Sequence, residues 1–184
     1  VKRRFCYPAF LVFVVIATTA IVGDISRNPS VILAGEHLFL ASVENGPDVV
    51  LNEYIRKNET FENWKVLFAV RQVRSARTVD EVVARWKAYL SQVKSPGMSL
   101  REDESSTPSD RRFTLAIRPP GDSYLENDEL RFIPAPNGKG VIYYQAAVRT
   151  NPADKAEMRA AFPKLVALGE ALQAISVQPI ERMP

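Results

Sequence analysis

Arg71, Arg74 and Arg77 follow the apolar stretch Val66–Val70 at intervals of three, and they are the residues whose type and spacing most directly suggest chemistry. On a continuing helix the three guanidinium groups would share a face and could hold an anion, a lipid headgroup or an acidic partner. On a strand-to-helix connection they would be its solvated exit. Trp64, just upstream, joins them as a candidate binding residue.

Other constellations offer less. His37 is the single histidine and Cys6 the single cysteine, so common transition-metal sites, which need several nitrogen or sulfur ligands, are not encoded, and no metal or cofactor is expected. A Ser-His-Asp arrangement through His37 has no G-x-S-x-G or comparable nucleophile context beside it, and His37 reads as a partly exposed histidine at a hairpin entry. The acidic run Glu126–Glu129, near Asp122, lacks the spaced D-x-D-x-D-G pattern of a calcium loop and reads as solvated surface. Glu53, Glu59 and Glu62 are carboxylates available for acid-base work, although one sequence does not pair them. Gly138 and Gly140 read as turn glycines and not as a phosphate-cradling loop.

The N-terminal segment has the parts of a secretory signal: basic Lys2, Arg3 and Arg4, an apolar Ala9–Ile16, and small Thr18-Thr19-Ala20 at a cleavage position. Residues 1–20 are therefore expected to be a signal peptide, with the body of the protein periplasmic or secreted. The alternative is a retained anchor, since Phe5–Val22 is an uncharged run of 18 residues, close to the ~20 that span a bilayer. Without the three leader cations, 24 basic residues become 21 against 21 acidic ones. The mature chain is formally neutral, which gives no support to nucleic-acid binding. It also holds no cysteine, so neither disulfides nor thiolate chemistry belong to it.

Residues 21–184 form one domain by length. Residues 37–43 and 49–55 flank Asn45-Gly46-Pro47-Asp48 and predict a hairpin. Thr60 with Phe61 and Trp64 suggests one or two helical turns that seat the tryptophan against a strand over 66–70. Val79, Val82, Val83, Trp86, Tyr89, Leu90 and Val93 fall on one helical face behind a Thr78–Glu81 capping box. The stretch 101–112, REDESSTPSDRR, holds no core-forming residue and reads as a strand end plus an exposed charged loop. Strands are expected in FTLAIRPP and ELRFIPAP and over 141–149. A C-terminal helix is expected to begin at Pro152 behind Asn151, to kink or break near Phe162 ahead of Pro163, and to continue to about Ile175. The expected fold is α+β: a mainly antiparallel sheet with one long central helix and a kinked C-terminal helix packed on it.

The segment NEYIRKNETFENWKVLFAV resembles one found in small exported bacterial proteins, in which an extended E-Y stretch precedes an E-x-x-x-N-W turn and an apolar strand. Glu53, Tyr54, Glu59, Asn63 and Trp64 carry the likeness. The coarse order of elements is also similar to the PsbP/Mog1-like sandwich, which implies binding or assembly more than catalysis. Together these observations point to an exported, non-catalytic protein that binds a partner protein or a cell-envelope component. The alternatives are a carboxylate-dependent hydrolase of cell-wall material, which needs two acids roughly 5–10 Å apart beside a cleft, and a membrane-tethered subunit of an envelope assembly.

Overall fold

The computed structural model describes residues 27–182, so the expected signal peptide or anchor lies outside the described residues. Eight antiparallel strands form a single sheet: β1 (Ser30–Leu33), β2 (Glu36–Asn45), β3 (Val49–Ile55), β4 (Val66–Val73), β5 (Ser99–Glu102), β6 (Arg111–Ile117), β7 (Leu125–Pro134) and β8 (Val141–Thr150). Their order across the sheet is β1-β2-β3-β4-β8-β7-β6-β5. The helices are α1 (Val79–Gln92), between β4 and β5, and α2 (Lys155–Ala174), after β8.

This overturns the expected fold class. The sheet dominates and curls into a half-barrel, and no long central helix organises it. A register shift between Leu40 and Ser42 places a bulge in β2, the kind of irregularity that increases local twist. The helix expected to be central, α1, has 14 residues and covers only one part of one sheet face. The longer helix is α2, with 20 residues, and it continues through Pro163 as one helix. Pro163 lies on the exposed side, where its missing amide deprives only an outward carbonyl of its partner. The helix starts three residues later than expected, because the Asp154 carboxylate accepts from the amides of Ala156 and Glu157 and so caps it, while Asn151 closes the preceding turn onto Ala153.

Alternation along the strands sorts the side chains onto two faces. One face carries Leu38, Leu40, Tyr54, Phe68, Val70, Ile142, Tyr144 and Ala146, and α2 covers it with Leu165, Leu168 and Leu172. The curl also brings β1 against α2, and Lys164 of α2 pairs with Glu36 at 2.7 Å. The tail after α2 stays on this face: Tyr144 Oη donates to the Val177 carbonyl at 3.1 Å, and Asn52 Nδ2 donates to that of Ile180 at 2.7 Å.

On the opposite face Val79, Val82, Val83, Trp86 and Leu90 of α1 pack on Val73, Phe113, Leu115, Phe132, Val141 and Tyr143. Trp86 is fully buried against the rings of Phe113 and Phe132, at 5.2 and 5.4 Å. Thr78 Oγ1 accepts from Glu81 N as the capping box requires, while Glu81 reaches back to the amide of Arg77 and not to that of Thr78. The residues after Thr60 make a single hydrogen-bonded turn and no helix.

The charged stretch 101–112 comprises the end of β5, the connection 103–110 and the start of β6, and the connection is closed by a Thr107–Asp110 bridge. Ion pairs tie its base to the sheet and to α1: Arg111 bonds Glu102 and Asp80, and Asp110 bonds both Arg112 and Arg131.

The β7–β8 turn rests directly on the exit of β4. A Cβ at Gly140, whose φ is +87°, would stand 2.0 Å from the Val73 carbonyl oxygen, whereas one at Gly138, φ +70°, would meet open space. Gly138→Ala should therefore cost about 1–2 kcal/mol from backbone strain alone, and Gly140→Ala more than ~2 kcal/mol. Urea unfolding of the two variants would measure the difference, and equal costs would mean that the close approach at Gly140 is not built in.

Candidate functional site

The β7–β8 register sets Glu126 opposite Arg149 and Asp128 opposite Ala147, and it carries Gln145 onto the same face. The β4–β8 and β3–β4 registers bring Arg71 and Glu53 to that face from the other side. A polar band thus crosses the sheet between the apolar patch under α1 and a smaller one formed by Leu51, Ile55, Trp64, Leu67, Ala69 and Ala147.

The band is buried: Asp128 is 0%, Arg71 5% and Glu126 8% exposed. Gln145 Nε2 donates to Asp128 Oδ1 at 3.0 Å and to Glu126 Oε1 at 3.2 Å. Asp128 Oδ2 is buried with no hydrogen-bond partner among the described residues. Burial is the main cause that pushes Glu126 up to about 7, and burial followed by the charge of Glu126 pushes Asp128 well above the usual carboxylate range. The two carboxyls form a coupled pair that retains a proton at neutral pH. Burial likewise raises Glu53 to about 7 against the opposing pull of the Arg71 guanidinium.

At the end of the band, the Arg149 guanidinium lies between two rings, 4.1 Å from the centre of Trp64 and 3.8 Å from that of Tyr124. It also donates to the carbonyl of Glu62 at 2.7 Å. Desolvated cation–π contacts of this kind are worth up to about 2 kcal/mol each. They account for the E-x-x-x-N-W segment: Glu59 bonds Arg56, Asn63 Oδ1 closes the turn onto the amide of Thr60, and Trp64 is laid on Arg149. Trp64 is therefore a buried structural residue, 3% exposed.

The three arginines are not brought to one face. Arg71 is inside β4, over the Tyr143 ring at 4.9 Å. Arg74 bonds the Gly46 carbonyl, the Asn45 amide oxygen and the Glu181 carboxylate. Arg77 is exposed ahead of α1. His37 is exposed too, its Nε2 3.0 Å from Ser30 Oγ and its ring against Phe39.

Where β4 leaves the sheet, Arg74, Ser75 and Arg77 face Gly138, Lys139 and Gly140 of the β7–β8 turn across a groove of about 570 Å³. No acidic side chain lines it. Gln72 holds its far wall by donating to the Lys139 carbonyl at 2.6 Å. Among the described residues neither Arg77 nor Lys139 is in an ion pair, so both cations are available to a ligand. Sequence reasoning recognised Arg77 but not Lys139, because it is the sheet order that sets the turn beside the β4 exit.

A family model matches residues 28–176, nearly the whole described chain. The chain belongs to this uncharacterised bacterial family. No curated protein and no solved structure matches it. Among the described residues, no group of three or more His, Cys, Asp or Glu side chains is placed to hold a metal ion, and no helix is long and apolar enough to cross a membrane.

The buried Glu126 and the half-buried Glu53 and Glu129 set a pH dependence. Glu53, Glu126 and Glu129 are each raised from 4.5 to about 7, so between these values the folded protein holds more protons than the unfolded chain. The resulting stabilisation is fully present below the unfolded value and is lost as pH rises through the folded one. Denaturation midpoints should fall from about pH 5 to pH 7.5, with a limiting slope of ~1.4 kcal/mol per pH unit for each retained proton. Asp128→Asn, which removes one member of the coupled pair, should make that slope shallower. An unchanged slope would show that the pair does not hold the proton.

Proposed function

We propose that the protein is an exported, non-catalytic binding protein of the bacterial cell envelope, and that it holds an anionic group of its partner in the groove between Ser75–Arg77 and Gly138–Gly140. The observation that carries this reading is the lining of the groove: among the described residues, two cations without ion-pair partners and no acid in the lining, beside a turn that bonds Gln72 and approaches Val73 closely at Gly140. A guanidinium and an ammonium at such a rim suit phosphate or carboxylate oxygens, and the attraction falls with salt because the site is open to water.

Other features point the same way. The basic, apolar and small-residue order of the first 20 residues is that of an export leader. The E-Y…E-x-x-x-N-W segment is like that of small exported bacterial proteins. The alternative hydrolase would need its acids at a cleft. Glu126 and Asp128, neighbours on one face of β7, are buried within the sheet, and each accepts a hydrogen bond from Gln145.

Native mass spectrometry of the protein isolated at low salt from the envelope of its own organism would test the reading. One stoichiometric anionic partner is expected on the wild-type chain. The double variant Arg77→Glu/Lys139→Glu should lose it while keeping the wild-type melting curve. Retention of the same partner by the double variant, or a bare wild-type chain, would overturn the proposal.

A further inference from the structure

Most large apolar side chains of the described residues are buried, and three of the exceptions lie along a single line. Met158, Phe162 and Val166 of α2 are 38, 67 and 43% exposed. A spacing of four stacks them along one side of the helix. They are not part of the core stripe, because Leu165, Leu168 and Leu172 already serve the contact with the sheet.

Lys155 and Arg159 are exposed within two turns of Phe162, and among the described residues neither is in an ion pair. The acid in that part of the helix, Glu157, is turned aside to Lys65 at 2.9 Å and to the amide of Asn151 at 3.0 Å. The next acid on the helix is Glu170, two turns beyond Phe162. The first half of α2 therefore presents an apolar line flanked by cations, the pattern of helices that lie at a membrane interface.

We propose that this face of α2 docks on an anionic lipid surface, with Phe162 entering the acyl boundary and Lys155 and Arg159 meeting lipid phosphates. A second copy of the chain fits less well, since a symmetric contact would set Lys155 and Arg159 against themselves. The sequence gives lipid a further argument over an acidic protein. The uncharged run of residues 5–22 precedes β1 by only seven residues, which reach at most about 25 Å. β1 itself touches α2. A bilayer that holds that run would lie within reach of the helix. The proposal is independent of the groove, which sits at the other end of β8, whose 10 residues span about 30 Å.

The test uses the full chain with Cys6→Ser and Phe162→Cys, labelled at position 162 with an environment-sensitive fluorophore. It is placed in nanodiscs of phosphatidylcholine alone or of phosphatidylcholine mixed with phosphatidylglycerol. Any tether is common to both discs, so a difference between them reports the surface of α2. A blue shift is expected in the anionic discs only, reversed by salt and abolished by Lys155→Glu/Arg159→Glu. The groove variant Arg77→Glu/Lys139→Glu should leave it intact, and the same dye at Glu44→Cys on the opposite sheet face should not move. Identical spectra in both discs would overturn the proposal. So would a shift that survives the α2 charge reversal, or one that appears only when envelope proteins are added in place of anionic lipid.

Discussion

Strand β8 is buried along all 10 of its residues, and its neighbour β4 along all eight. A strand covered on both faces leaves no solvent to satisfy a polar side chain, and an unpaired one costs several kcal/mol. Three polar residues nonetheless lie inside these strands on the same face: Arg71, Gln145 and Arg149. Much of the surrounding architecture answers their requirements. Gln145 is met by the Glu126–Asp128 pair from β7, Arg71 by the charge of Glu53 and the ring of Tyr143, and Arg149 by Trp64, Tyr124 and two carbonyls of the preceding turn. Half of this network is acidic and desolvated, which is why protons become part of the fold and stability depends on pH in the neutral range.

The same constraint separates structure from function. Of the side chains that look reactive in the sequence, Glu126, Asp128 and Trp64 are enclosed within the sheet. Two surfaces open to a partner lie at the two ends of the central strand. At one end are the cations of Arg77 and Lys139 beside a turn fixed by Gly140. At the other end the exposed line of Met158, Phe162 and Val166 follows the start of α2.

Elements governed by local rules were legible in the sequence. The β2–β3 hairpin was legible from its turn-forming Asn45–Asp48, although neither Asn45 nor Gly46 takes the positive φ of an Asn-Gly turn; α1 follows from valine spacing behind Thr78, and β8 from its β-branched and aromatic run. Glu126–Glu129 was misread because four consecutive polar residues look like surface, although period-two alternation buries every second one, Glu126 and Asp128, in a strand. The arginine triplet suggested a shared face because its spacing of three has helical meaning. The chain is still extended at Arg71 and turns only after Val73. Pro163 signalled a break, but packing of Leu165, Leu168 and Leu172 on the sheet outweighs one lost backbone hydrogen bond.

By itself, the sequence determined the antiparallel pairing of neighbouring strands, the apolar face of α1, the absence of thiol chemistry from the body of the chain, and the leader-like order of its first residues. These depend on composition and on contacts a few residues apart. Only the tertiary structure decided that β8 inserts between β4 and β7, because strand order is a matter of long-range burial that no local pattern records. That insertion sets Lys139 beside Arg77, encloses Asp128 with Glu126, and lays Trp64 on Arg149. Partners distant in sequence meet there because a doubly covered strand must satisfy its polar groups within the protein.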